Sequence, residues 1–164
     1  VSSRHALTDI LGQAGGLRSL GIARGSRVCI LALNSDRYLE SYLALAWLGA
    51  VVNPANFRWS APEVIYSLND SDCVALIVDD QFAPMCEAIR AGTPGLKQVI
   101  FAGDAAVPAG STSYEALLEA SAPVADVGAG GTFGDFDLLN AEHIAAVGAD
   151  VAHAIDEEVG GGGV

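Results

Sequence analysis

Two adjacent carboxylates, Asp79 and Asp80, follow the apolar run Leu76-Ile77-Val78. Paired acids at the end of a buried strand can hold a divalent metal for phosphoryl chemistry. That chemistry also needs a phosphoacceptor Asp closing a later strand and a Lys beyond it. The single lysine, Lys97, precedes the next apolar run instead. The competing role for the pair is a turn and a helix cap, where Asp is a preferred residue. A second candidate is the glycine run Gly128-Ala-Gly-Gly-Thr-Phe-Gly134, whose backbone N–H groups could cradle a phosphate. It has no following Lys, Asp135 and Asp137 would repel an anion, and it does not open a helix after a first strand, so a linker is the simpler reading. His143 and His153 lie too far apart on one candidate helix to share a metal, and His5 is remote. Asn69-Asp-Ser71 matches a glycosylation sequon. No serine sits in a nucleophile elbow, so acid, base and nucleophile are nowhere assembled.

The elements that would carry these residues read as alternating strands and helices. The stretch Arg27 to Asn56 is strand, helix, strand: an apolar run Val28–Leu33, capping residues at Asn34, Ser35 and Asp36, and a helix with Leu39, Tyr42, Leu43, Ala46 and Trp47 on its apolar face. Gly49 stops that helix, Ala50–Val52 begins a second strand, and Pro54 ends it. Two strands joined by one helix run parallel with a right-handed crossover, and a parallel sheet needs both faces covered. A helix over residues 6–20, with Leu7, Ile10, Leu11, Ala14, Leu17 and Leu20 as its stripe, is weakened by Gly12, Gly15 and Gly16 and closed by Gly21. Ser60-Ala-Pro-Glu63 is a capping box for a helix to about Asn69, with Val64, Ile65 and Leu68 inward. A third strand spans Cys73–Val78. A helix follows over Gln81–Ala91, with Met85 and Ile89 inward, and then a turn at Pro94-Gly95. Gln98–Phe101 is a fourth strand, and Thr112-Ser-Tyr-Glu115 a second capping box opening a helix to about Ala120. The fold class is α/β: a doubly wound, mostly parallel sheet with helices on both faces. Residues 1–121 form this unit, 122–139 a Gly- and Asp-rich linker, and 140–164 an atypical helical tail with Ile144, Val147, Val151 and Ile155 on one face.

A chain of 164 residues, 51 % hydrophobic and 17 % charged, can bury a core as one domain. Its net charge of −12, with only eight Lys and Arg, excludes a basic patch for nucleic acid or an anionic membrane. No apolar run reaches the length of a membrane span. Cys29, Cys73 and Cys86 cannot all pair with one another, and two sit in strand-like runs, which points to a reducing, cytoplasmic compartment. The first residue is Val, and the reading is that the beginning of a longer chain is missing.

The order GSRV, LNSDRYLE, AWLGAVVNPAN, Arg58, Glu63, LNDS, VALIVDD and LKQVIFAGD resembles the N-terminal part of the AMP-binding, adenylate-forming enzymes, and among them the fatty-acyl and aryl acid–CoA ligases. The resemblance runs from about Gln13 to Gly131. It implies a flavodoxin-like subdomain of an enzyme in which a carboxylic acid attacks ATP, with Mg²⁺, to give an acyl-adenylate and pyrophosphate, and coenzyme A then displaces AMP. It also implies that Arg58 lies near the CoA phosphate, with a surface pair to Glu63 as the alternative. The family's phosphate loop ending in Pro-Lys-Gly, its Tyr-Gly-x-Thr-Glu and Thr-Gly-Asp segments and its C-terminal domain have no match, and TFGDFDLLNAEH after Gly131 has no evident counterpart. The expectation is therefore a chain that binds no cofactor and has no catalytic residue of its own, while ATP, Mg²⁺ and CoA serve the parent enzyme. Two other readings stand beside it. One is a non-catalytic assembly module self-associating through exposed apolar surface, and the other a receiver-like signalling domain using Asp79 and Asp80.

Overall fold

The computed structural model describes residues 3–122 and residue 124. The elements are α1 (Ser3–Ser19), β1 (Arg27–Leu31), α2 (Asp36–Trp47), β2 (Val51–Pro54), α3 (Ala61–Asp70), β3 (Ala75–Val78), a 3₁₀ turn (Ala83–Met85), α4 (Cys86–Gly92), β4 (Gln98–Phe101), β5 (Thr112–Ser113) and α5 (Tyr114–Ala120). The strands form one sheet in the order β2-β1-β3-β4-β5, and every neighbouring pair is parallel. This is the flavodoxin-like order of a doubly wound fold.

Strand alternation divides the core in two. Val28, Ile30, Ala75, Ile77 and Ile100 point to the face covered by α1, α2 and α5, where Leu17, Leu45 and Tyr114 meet them. Cys29, Leu31, Leu76, Val78, Val99 and Phe101 point to the other face, against Val64 and Leu68 of α3 and Phe82, Cys86 and Ile89 of α4 and its approach. Fully burying each large aliphatic side chain is worth about 2 kcal/mol, so neither face of the three central strands can be left in water.

Local chemistry sets the element ends. Ser35 caps α2 by accepting from the Tyr38 N–H at 3.1 Å. Gly49, at φ +68°, ends it: its N–H bonds Ala46 O at 2.9 Å while the Ala50 N–H bonds Leu45 O at 2.9 Å. The same paired bonds end α1 at Gly21 (φ +84°) and α3 at Asp72 (φ +49°), a non-glycine residue in the left-handed region. The capping box of α3 is present, with Glu63 Oε2 accepting from Ser60 N at 2.8 Å. Pro54 is the last residue of β2, which it ends as expected. Val51 N and Ala55 N donate to Ser26 O and Ile30 O, so alternate residues face β1 and the N–H that proline lacks falls on the open sheet edge.

Four expectations are corrected. The buried face of α2 is Ser41, Ala44 and Leu45, continued by Leu48, while Leu39 is 58 % exposed and Tyr42, Leu43, Ala46 and Trp47 are only half-buried. Small Ala44 and polar Ser41 are inside because α1 lies close to α2, and Gln13 Nε2 donates to Ser41 Oγ at 2.7 Å in the buried interface. The helix expected from Gln81 begins only at Cys86. Pro84, which has no N–H to donate, sits in the preceding 3₁₀ turn, and Phe82 rather than Met85 is buried there. The cap of α5 is Ser113, which accepts from Ala116 N, and Thr112 instead begins β5, a two-residue strand missed in the sequence.

The fourth correction concerns the glycines of α1. They permit close packing of α5 and the segment after it. A Cβ on Gly15 would overlap the carbonyl oxygen of Ala122, and one on Gly16 would press on Leu117 Cβ at 3.0 Å, whereas one on Gly12 would meet only the end of Leu118 at 3.4 Å. Helix propensity alone favours Ala over Gly by about 1 kcal/mol. Gly12→Ala is therefore expected to raise the urea midpoint, and Gly15→Ala to lower it despite the same propensity gain, measured by far-UV circular dichroism at fixed pH.

Candidate functional site

In a sheet of this order the chain turns from β1 outward to β2 and then crosses to β3 on the other side. The crevice at the carboxyl ends of β1 and β3 is the usual ligand position. Here Asp79, immediately after β3, reaches across it. Its Oδ2 accepts from the Leu33 N–H at 2.7 Å and its Oδ1 from the Gln81 N–H at 3.0 Å. Asp80 reaches the other way, toward the loop after β4, accepting from Asp104 N at 2.9 Å and Ala105 N at 2.8 Å. The two carboxylates thus clasp the loops after β1 and β4 to β3 with four backbone N–H groups. Asp79 makes the local turn weighed for the pair in the sequence, through Gln81, but neither acid caps a helix, since α4 begins only at Cys86. Among the described residues no cluster of three or more His, Cys, Asp or Glu is placed to hold a metal.

Arg37, on the first turn of α2, extends the clasp. Its guanidinium bridges Asp104 Oδ1 at 2.8 Å and Glu115 Oε1 at 2.9 Å. Burial works against its charge, yet the hydrogen bonds and charges of the two carboxylates outweigh it and push its pKa up. Behind it the Tyr114 hydroxyl donates to Glu40 Oε2 at 2.5 Å. Burial, then the Glu40 carboxylate, pushes Tyr114 up, so it stays a donor. Burial also raises Glu40, partly offset by the Tyr114 hydrogen bond, with Asp9, Asp36 and Glu115 adding repulsion.

Arg58 is exposed in the loop between β2 and α3, its guanidinium 5.3 Å from the centre of the Phe57 ring. Its alternative partner, Glu63, is occupied by Ser60, whose N–H and hydroxyl both donate to Oε2, the hydroxyl at 2.6 Å. The structure therefore brings Arg58 to an aromatic ring and not to the carboxylate. Asn69 of the sequon donates from Nδ2 to Gly92 O at 3.0 Å. All three cysteines are free and buried, and burial, with Cys73 nearby, pushes the Cys29 thiol up to about 12, far from a reactive thiolate. His143, His153 and the glycine run 128–134 lie outside the described residues. No described helix is long and apolar enough to cross a membrane.

The partners of Asp79 and Asp80 were not legible in sequence. Leu33 lies 46 residues before Asp79, and Asp104 and Ala105 lie 24 and 25 beyond Asp80. The only available signal was that each apolar run is followed at once by small or polar residues.

A parallel five-stranded sheet in this order, with its carboxyl-end loops clasped by acids, defines a doubly wound α/β unit. The sequence model of the AMP-binding enzyme family matches residues 4–147, and the chain belongs to that family. The match extends beyond the Gln13–Gly131 stretch on which the resemblance was read, as far as residue 147. A long-chain-fatty-acid–CoA ligase of Thermus thermophilus is 40 % identical over 111 residues, covering 67 % of this chain and 20 % of that protein. The inhibitor-bound N-terminal domain of FACL13 from Mycobacterium tuberculosis superposes with a TM-score of 0.59 at 33 % identity, covering 71 % of this chain and 27 % of that one. The anthranilate–CoA ligase AuaEII, solved with anthranoyl-AMP, gives 0.68 at 25 % identity, covering 76 % and 23 %. The chain spans about a fifth of the length of the curated relatives it matches.

The Asp80 amide contacts, led by that from Asp104, hold its carboxyl below the ordinary carboxylate range. The stability that they contribute is present above the ordinary carboxylate pKa and is lost as pH falls through the depressed one. Glu63, held down by its Ser60 hydrogen bonds, works in the same sense, and Glu40, raised by burial, in the opposite one. Asp80→Asn is expected to lower the urea midpoint at neutral pH and to flatten its decline between about pH 5 and pH 3. An unchanged acid limb in the variant would assign the pH dependence to other carboxylates.

Proposed function

We propose that this chain serves an ATP-dependent, AMP-forming acid–CoA ligase, contributing its N-terminal α/β subdomain. The observation that carries the reading is the family match across residues 4–147, on a parallel α/β fold that superposes on a solved ligase with a TM-score of 0.68. The reaction joins a fatty or aryl carboxylic acid to coenzyme A through an acyl-adenylate, and the names of the relatives support both acid classes. The unit comprises residues 1–121, and because the match continues through residues 122–139 the linker belongs to the same enzyme.

The described residues do not fit ATP and Mg²⁺. Asp79 and Asp80 each accept two backbone N–H groups, one on each carboxylate oxygen, and so are committed to the loops. Arg37 is held by two carboxylates, Arg27 by Asp72, and Arg90 by the carbonyls of Ala109 and Gly110. Phosphate neutralisation, which dominates this chemistry, would have to come from other residues of the enzyme. Arg58 is different. It is exposed, has no carboxylate partner among the described residues and presents a planar fork of donors suited to a phosphate of CoA.

Incubated alone with ATP, Mg²⁺ and fatty or aryl acids, the chain is expected to release no acid-dependent pyrophosphate. The positive test is a chimera in which residues 4–147 replace the matching segment of the Thermus ligase. Acid-dependent formation of AMP and acyl-CoA by the chimera is the expected result, and a chimera that melts cooperatively but forms neither would overturn the reading. In the active chimera, Arg58→Ala is expected to raise KM for CoA by about tenfold with KM for ATP unchanged.

A further inference from the structure

Helix α2 is apolar on two sides. Ser41, Ala44, Leu45 and Leu48 are buried against α1 and the sheet. Leu39, Leu43 and Ala46, four and three residues apart, form a stripe on the opposite side of the helix. Leu39 is exposed, Leu43 and Ala46 are half-buried, and none of the three packs against either part of the core. A helix with a single partner keeps its outer side polar, so an apolar outer stripe calls for a second partner.

The course of the chain identifies that partner. After α5 the backbone returns to this pair of helices: the Val124 N–H donates to Leu11 O at 3.1 Å, and Val124 O accepts from Trp47 Nε1 at 3.2 Å. Val124 is the last described residue, so the residues that follow set out from beside α2. Among them, Asn140 is a cap residue, and Ile144, Val147, Val151 and Ile155 recur at helical spacing. The stretch between Val124 and Asn140 can span about 50 Å, whereas the 12 residues of α2 extend over about 18 Å, so the whole stripe is within reach. Charge agrees. Asp156-Glu157-Glu158 follows Ile155. Carboxylates are unfavourable at a helix C-terminus unless cations answer them. Arg18, in the last turn of α1, and Arg24, whose side chain passes Gly49 at the end of α2, are exposed and have no ion-pair partner among the described residues. We infer that the outer face of α2 is a docking surface and that its occupant is the segment 140–159 of the same chain, seated on Leu39, Leu43 and Ala46 with its acidic end toward Arg18 and Arg24.

This inference does not depend on the ligase reading, and it is tested by exchange rates rather than by activity. Hydrogen exchange of the full chain is expected to show the amides of residues 144–155 exchanging at least about tenfold more slowly than in a free chain, independently of protein concentration. Leu39→Glu and Leu43→Glu on α2, and Val151→Glu in the segment, are each expected to speed that exchange by about tenfold. The double variant Arg18→Glu/Arg24→Glu is expected to speed it by about threefold. In every variant the amides of β1 and β3 are expected to keep the protection of the parent, which separates undocking from unfolding. Free-chain rates in the parent would overturn the inference. So would protection that persists in both Leu39→Glu and Leu43→Glu, or protection that grows with protein concentration, which would assign the face to a second copy. Exchange indifferent to the arginine reversals would overturn the charge pairing.

Discussion

Three neighbouring strands, β1, β3 and β4, carry apolar side chains on both faces, and almost every residue in them is buried. A strand of that kind cannot sit in a sheet with an open side. Everything else in the fold answers that constraint. The crossovers must be helices, the helices must fall on both faces, and each must turn an apolar stripe inward. The α1 glycines follow from the same requirement. Three helices share one face, and α5 reaches its place only because α1 offers it backbone instead of side chain.

The parts of the fold legible in sequence were those governed by residues close together in the chain. The four main strands, Gly21 and Gly49 as helix stops, and the Ser60–Glu63 box depend on contacts within a few residues, and the physics of each is written locally. The α2 face was misread because Tyr42, Leu43 and Trp47 are the more hydrophobic choice by type, whereas the interior was set by how near α1 comes, which favoured Ser41 and Ala44. Strand β5 was missed because two residues paired to Ile100 and Phe101 leave no periodicity to detect. The α1 glycines were read as a weakness for a related reason: propensity is a local quantity, and the Ala122 carbonyl that needs the space lies more than a hundred residues away.

For the site the same division holds. Asp79 and Asp80 were conspicuous by type and position, and the turn that Asp79 makes was visible as a possibility. Which amides they serve was not, since the donors come from the loops after β1 and β4. The Arg58–Glu63 pair, plausible from spacing, loses to a nearer competitor, because Ser60 supplies both an N–H and a hydroxyl to the same carboxylate oxygen.

The clasp also bears on where chemistry can reside. In open parallel sheets the crevice between strands whose connections diverge is available because the loops there part and leave backbone N–H groups unspent. In this chain the Leu33 N–H, which faces that crevice, is bound to Asp79, and the loop beyond β4 is bound to Asp80. A phosphate entering there would have to displace carboxylates that already hold the donors, and would meet their charge. The fold order alone would have pointed to this crevice, yet a fold does not fix a function. The acids turn an edge that could receive an anion into a surface whose backbone donors are already engaged.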